Sequence, residues 1–440
     1  MDAILVAPVQ PAPRPGPVLD VVPVDHVWPP APEGYRPSDP PEVLLAKQAV
    51  RSRVLVVVID IPYIACGWLF GVFSLIAGLA LLAAIPIVQF LTLGYLLEVG
   101  GRVARTGRLR DGFVGVRKAA RVGSIVLGST LMLAPLYLVS SLLVSAQLID
   151  PAGASARGLE TLLSVLMVVL LLHIVGAWSR GGKLRHFLWP MGSPFVLLRR
   201  LRDGEWLDVL GLVFLGNIWW LGRRLVQGGY YTQARDAVWD FVVSLRLPYY
   251  FSLGLRGFAA GFIVLIVPVS LIAAGRHAPV LGFVGGFMLI VAVLYVPFLE
   301  MRLARDNRFR EGLNLRGVRQ DFGRAPVAFA FALLITLALA FPLYFFKIEM
   351  IPRDGAWLMT PFFIVSIWPA RLLTGWAYGR ATHRATPRFW LFRWTCRLAM
   401  LPMAAFYVVI VYFSQFTSWN GIWSLYEQPA FLLPVPFFNF

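Results

Sequence analysis

The chain has 440 residues, of which 58% are hydrophobic and only 14% charged, against roughly 25% charged in an ordinary soluble protein. With a mean hydropathy of +0.71 it lacks the polar groups to cover a water-exposed surface, which excludes an ordinary soluble fold. Its two cysteines, Cys66 and Cys396, are too few for a disulfide framework or a zinc cluster and read as small buried hydrophobes.

Apolar runs of about 18 residues or more recur, the length of a helix crossing roughly 30 Å of hydrocarbon. A spanning barrel would instead show segments of alternating polarity. The expected fold class is therefore an all-α, polytopic membrane protein. Residues 1–53 are rich in proline and lack helical periodicity, as in VWPPAPEGYRPSDPPE, so they read as an extended or disordered tail. No compact basic, apolar and small-residue pattern opens the chain, so no cleaved signal peptide is expected.

The first apolar stretch, 54–97, is interrupted by Asp60, Pro62 and Pro86. It reads as a short lead-in, with Asp60 as a helix cap, and then a single span from 68 to 97 kinked at Pro86. A hairpin turning near Pro86 is the alternative. Further spans are expected at 122–148, 159–178, 256–274, 278–299, 325–346, 357–376 and 397–413, for about eight in all. The resulting organisation is a tail (1–53), a first membrane half (54–178), a basic insertion (179–255), the remaining spans (256–413) and a short aromatic tail (414–440). Within the insertion, 206–222 is apolar but short for a span, with re-entry as an alternative. Residues 236–247 read as an amphipathic helix in the interface.

Charge placement supports this topology. Segments 98–121, 179–256, 300–324 and 371–397 hold 31 of the 40 Lys and Arg residues, and the intervening turns hold only Arg157, Arg276, Lys347 and Arg353. Basic and poor loops alternate, as the positive-inside rule requires, which assigns the basic loops to the cytoplasm. A single first span would put both termini outside, where Lys47, Arg51 and Arg53 are badly placed. A hairpin would return the N-terminus to the cytoplasm.

An internal repeat is visible. RVARTGRLRDGF (102–113) and RLARDNRFREGL (302–313) share six of twelve residues. Both follow a Leu-Glu pair, Leu97-Glu98 and Leu299-Glu300. Gly115-Val116-Arg117 is echoed by Gly317-Val318-Arg319, and AWSRGGKLRH (177–186) by GWAYGRATHR (375–384). Two parallel four-helix halves are expected, as in some transporters. The lack of room for a hairpin in 278–299 then favours a single crossing for 68–97.

The segment GYLLEVGGRVARTGRLRDGF (94–113), an apolar span running through GYLL into an Arg-studded helix, resembles a family of uncharacterised bacterial polytopic membrane proteins known as a domain of unknown function. The likeness covers 94–148 and, more loosely, 295–345. It implies a bacterial cytoplasmic membrane and no catalytic residue.

Ionisable groups inside spans mark function by default, and here they are few. His173 reads as a satisfied interhelical histidine, and Gln89 and Asn217 as polar glue between helices. Glu98 and Glu300 lie where a span meets a basic loop, at what read as matching repeat positions. They would face one another as a gate or inter-repeat pair, or else pair with Arg102, Arg105, Arg302 or Arg305. The ladders Arg102, Arg105, Arg108, Arg110 and Arg302, Arg305, Arg308, Arg310 would line one side of a helix, suited to anionic lipid phosphates. No HExxH, Walker A or GxSxG motif is present, and the five histidines lack ligand spacing. Trp residues near span ends read as an aromatic belt.

No cofactor, no metal and no nucleic-acid partner is expected. The leading functional expectation is a non-enzymatic protein acting through lipid or membrane-protein contacts at its basic face. A small-solute transporter or channel is the first alternative, and a membrane-embedded lipid-modifying enzyme the second.

Overall fold

The computed structural model describes residues 61–188, 216–226, 228–345, 359–418, 420–428 and 431–432, and among these described residues thirteen α-helices follow one another. The Pro-rich tail, the Asp60 cap and residues 206–215 lie outside the described residues. The helices are α1 (Ile61–Ala84), α2 (Gln89–Thr106), α3 (Val116–Ile149), α4 (Ala154–Ser179), α5 (Leu184–Leu188), α6 (Gly216–Val226) and α7 (Tyr230–Ser244). They continue with α8 (Leu247–Ala274), α9 (Pro279–Asp306), α10 (Leu315–Arg324), α11 (Pro326–Phe345), α12 (Met359–Thr382) and α13 (Trp390–Thr417). Short 3-10 turns lie at Leu109–Gly112, Phe309–Leu313 and Gly421–Tyr426.

Seven of the helices are long and apolar enough to cross a membrane: α1, α3, α4, α8, α9, α11 and α13. The chain is a polytopic all-α membrane protein. Large apolar side chains on these helices face outward, such as Leu138, Leu148, Leu171 and Phe283, which are 60%, 83%, 62% and 82% exposed. In lipid such a surface costs nothing. The expected span at 357–376 corresponds to α12, which carries Arg371 and Arg380 and runs beside the apolar helices.

The first stretch is a hairpin and not one kinked span. Pro86 supplies no N–H, and Ile87 takes a positive φ of 68°, so the helix breaks and the chain reverses. Thr92 Oγ1 on α2 donates to the Leu79 carbonyl on α1 across 3.0 Å. Further back along α1, Trp68 packs on Phe113, with ring centroids 5.2 Å apart, and Gly71 lies against Val116. The start of α1 therefore lies beside the end of α2 and the start of α3. Cys66, expected to be buried, is exposed on α1, and Cys396 is half-buried on α13.

Arginine-rich ends gather together. Arg256 bonds to Asn307 Oδ1 (2.9 Å), Lys118 to the Ser244 carbonyl (2.7 Å), and Arg121 to the Gly181 carbonyl (3.0 Å). This basic end holds the finishes of α2, α4, α7, α9 and α12 and the starts of α3, α8, α11 and α13. At the opposite end the Arg276 guanidinium lies over the Phe416 ring.

Helix α2 is the hub: 14 of its 18 residues are buried. Hydrophobicity does not drive helices together in lipid, so close backbone approach must. Glycine permits it. A Cβ on Gly94 would run into the Tyr250 carbonyl of α8, and one on Gly254 into the Phe90 carbonyl of α2. On the other side, Gly375 of α12 lies on the Gly100 carbonyl, and Gly379 lies beside Gly107. The pair Gly375 and Gly379 forms a small-xxx-small seam. α9 completes the ring around α2, with Gly101 against Ala304.

α3 and α4 form a peripheral pair whose buried Met132, Ile174 and Ala177 make, with Phe187 of α5, a cluster separate from the main core. Helix α6 lies on α4 through Asn217 and Gly176. Helix α7 buries no residue and exposes Val238, Trp239 and Val243, as an interfacial helix would. The stretch after α13, expected to be a short tail, instead turns inward: Leu425, Phe431 and Leu432 are buried within the main core.

The glycine seams make a direct test. Gly375→Val should lower the Tm of the detergent-solubilised protein by several °C, since overpacking typically costs about 1–3 kcal/mol and here meets backbone. Gly78→Ala, into open space on α1, should leave Tm unchanged or slightly raised. Equal tolerance of both substitutions would contradict this packing.

Candidate functional site

The two carboxylates singled out by the sequence are both buried, Glu98 at 4% and Glu300 at 1% exposure, but they do not form a pair. With the repeat aligned on Arg102 and Arg302, Glu98 stands four residues before its arginine and Glu300 only two. Residues two apart point to different sides of a helix, whereas residues four apart stack. The matching positions are in fact Glu98 with Phe298 and Gly100 with Glu300. The expectation of equivalent carboxylates facing across an axis is therefore corrected.

Glu98 is held largely by its own helix. Arg102 Nε donates to Oε1 at 2.9 Å and Arg105 Nη2 to the same oxygen at 2.8 Å, while Tyr249 Oη of α8 donates to Oε2 at 2.8 Å. Arg105 also reaches the Ala304 and Arg305 carbonyls at the end of α9 (3.1 and 3.2 Å). One carboxylate thus locks α2, α8 and α9 together.

Glu300 faces α12. Its Oε2 accepts from Arg371 Nη1, and both residues are almost wholly buried. Arg371 Nη2 donates to the Phe431 carbonyl at 3.3 Å, so the inward-turned C-terminal segment caps the pair. Glu300 Oε1 and Arg371 Nε have no hydrogen-bond partner among the described residues. Gly100, at the position that matches Glu300, lies against the Arg371 carbonyl. Arg371 was missed at the sequence level because it was counted with the basic segment 371–397, although it lies eleven residues before the end of α12.

The ladders divide in the same way. Arg302 is bound by Glu311 Oε2 (3.0 Å from Nε) and Asp321 Oδ2 (2.6 Å from Nη1), which joins α9 to α10. Arg302 in turn holds the Glu311 carboxyl below its usual pKa. Arg305 lies over the Tyr378 ring and 3.7 Å from Asp306. The four inner arginines are thus engaged within the fold. The four outer ones, Arg108, Arg110, Arg308 and Arg310, are exposed; Arg110 has Asp111 at 3.9 Å and Arg308 acts on Glu311 through its charge.

The backbone around the two ladders follows one course. α2 ends at Gly107 and α9 at Asn307, both left-handed, whose N–H groups bond to the Val103 and Leu303 carbonyls. Extended Arg108 and Arg308 follow, then the 3-10 turns at Leu109–Gly112 and Phe309–Leu313.

His173 and Asn217 belong to one buried network. His173 Nε2 lies 2.9 Å from the Phe187 carbonyl, and Asn217 Nδ2 donates to the His186 carbonyl at 2.8 Å while its Oδ1 accepts from Arg180 at 2.7 Å. Asn217 thus joins α4, α5 and α6. Gln89, expected to do the same, leaves its amide oxygen without a hydrogen-bond partner among the described residues. Burial, followed by the positive charges of Arg180, Arg185, Lys183 and Arg121, pushes the neighbouring His186 down to about 4. Among the described residues no three His, Cys, Asp or Glu side chains gather as a metal site.

The Glu300–Arg371 pair can be tested by a double-mutant cycle. Glu300→Gln and Arg371→Met alone should each destabilise by about 3–5 kcal/mol, because each leaves a buried charge unpaired. The double variant should recover most of that loss. Additive losses in thermal melts would show that the two residues do not interact. No family model, curated protein or solved structure matches the chain, so the resemblance seen at 94–113 stands on those residues alone.

Proposed function

We propose that this is a non-enzymatic, multi-pass protein of a bacterial cytoplasmic membrane that acts through anionic lipid headgroups at its basic end, which faces the cytoplasm. The observation that carries this reading is the division of the arginines. Buried and half-buried carboxylates take up Arg102, Arg105, Arg302 and Arg371, and exposed Arg108, Arg110, Arg308 and Arg310 keep their charge for another anion. Each is worth about 1 kcal/mol near an anionic surface.

In this reading the chain is two tandem halves, supported by the shared course of 102–113 and 302–313. The α1–α2 hairpin then corresponds to α8–α9, so α8 opens the second half instead of closing the first.

Replacing Arg108, Arg110, Arg308 and Arg310 with Gln should cut the preference of purified protein for phosphatidylglycerol over phosphatidylcholine by roughly tenfold or more, with less effect at high salt. An unchanged preference would sink the lipid role. Cysteine labels at 110 and 310 should report the cytoplasmic side together, and labels on opposite sides would overturn the orientation.

A second reading, a small-solute transporter, is favoured by the incompletely satisfied Glu300–Arg371 pair, since buried charges within spans mark ion and substrate paths. Solute flux into liposomes that is lost in Glu300→Gln would support it over the lipid role.

A further inference from the structure

At the basic end, between the start of α11, the end of α12 and the start of α13, lies a cavity of about 490 Å³. Its polar wall is cationic. Trp376 and Arg380 lie four residues apart near the end of α12, which stacks them along one side, and Arg384 and Arg388 follow in the loop. The Arg380 guanidinium lies 4.8 Å over the Trp376 ring. Arg384 makes a single long contact, 3.5 Å to the Arg324 carbonyl. The Arg388 main-chain N–H is pinned to the Gly323 carbonyl at 2.8 Å, while its guanidinium takes no hydrogen-bond or ion-pair partner among the described residues. No carboxylate among the described residues lines the cavity.

The start of α11 adds to this charge. Pro326 has no N–H to offer, and Phe329 donates back to the Ala325 carbonyl. Val327 and Ala328, which line the cavity, occupy the first turn, where N–H groups lack intrahelical acceptors and the dipole favours an anion.

The rest of the wall is apolar: Val327, Phe331 and Phe392 are 61%, 48% and 50% exposed, and all three sit on helices long enough to span the membrane. A second basic cavity, of about 420 Å³, lies at the ends of α3 and α4 with Arg117, Arg121, Arg180 and Lys183. Its remaining lining, Ala120, Ser124 and Gly181, provides no comparable apolar wall.

We propose that the first cavity seats the phosphate of one anionic phospholipid, with its acyl chains lying along Val327, Phe331 and Phe392. The polar wall alone would suit any phosphate oxyanion. The apolar wall, continuous with the bilayer-facing surface, selects the lipid-borne one. This inference rests on the reading that the basic end engages anionic lipid, and it adds a defined, stoichiometric site to that general attraction.

Native mass spectrometry of the full chain in detergent tests it, with phosphatidylglycerol, phosphatidylcholine or inorganic phosphate added separately. Wild-type protein should retain one phosphatidylglycerol more tightly than any further copies. Arg384→Glu/Arg388→Glu should weaken that first lipid by roughly 10- to 100-fold, and Arg388→Ala, which breaks no side-chain contact, should weaken it measurably. Arg117→Glu/Arg121→Glu changes the net charge equally and should leave it in place. Equal loss in both double variants, or retention in all of them, overturns the site but leaves the general attraction standing. Displacement by inorganic phosphate at matched concentration overturns the lipid as occupant. A wild-type protein that holds phosphatidylglycerol no better than phosphatidylcholine would bring down the broader reading as well.

Discussion

A bilayer gives apolar helices no reason to prefer one another over lipid, so the centre of this bundle has to be held by contacts that lipid cannot offer. Helix α2 supplies them. Gly94, Gly100 and Gly101 bring its backbone onto α8, α12 and α9, and Glu98 gathers donors from its own helix and from Tyr249 of α8. Dispersion over a glycine-lined contact and a charge-assisted hydrogen bond are both stronger than anything an acyl chain provides. The positions of α8, α9 and α12 all depend on that one short, charged helix.

The same constraint explains why the two arginine ladders do different work along their length. Near the bundle, a guanidinium would be stranded in an apolar setting without an acid, and Arg102, Arg105, Arg302 and Arg371 each have one. A turn further on, past the left-handed caps at Gly107 and Asn307, the chain emerges and its arginines need no internal partner. Charge that anchors the fold and charge that addresses the surroundings are thus separated by a helix cap.

The two Arg-rich segments nevertheless have different surroundings. α12 sits at the centre against α2, while α4, with the matching Gly/Trp/Arg ending, stays at the periphery with α3, α5 and α6. Glu300 has Gly100 as its counterpart. A carboxylate on α9 and a bare backbone on α2 leave room for Arg371 to enter between the two helices. The centre is thus asymmetric, and so are the two cavities at the basic end, one with an apolar wall and one without.

Composition and the lengths of apolar runs by themselves determined that this is a helical membrane protein, because those properties add up residue by residue whatever the neighbours are. Alternating basic loops and the twin Arg-rich segments were legible for the same reason. The Pro86 reversal was only an alternative in the sequence, since a proline in a helix either kinks or breaks it, and the outcome depends on whether α1 finds α3 to lie against. The Glu300–Arg371 pair, 71 residues apart, and the cavity shared by α11, α12 and α13 were not legible at all. Both arise where helices distant in the chain cross, and the direction of a side chain around a helix acquires meaning only once a neighbour's position is known. The tertiary structure alone decided which charges are spent on the fold and which remain for a ligand.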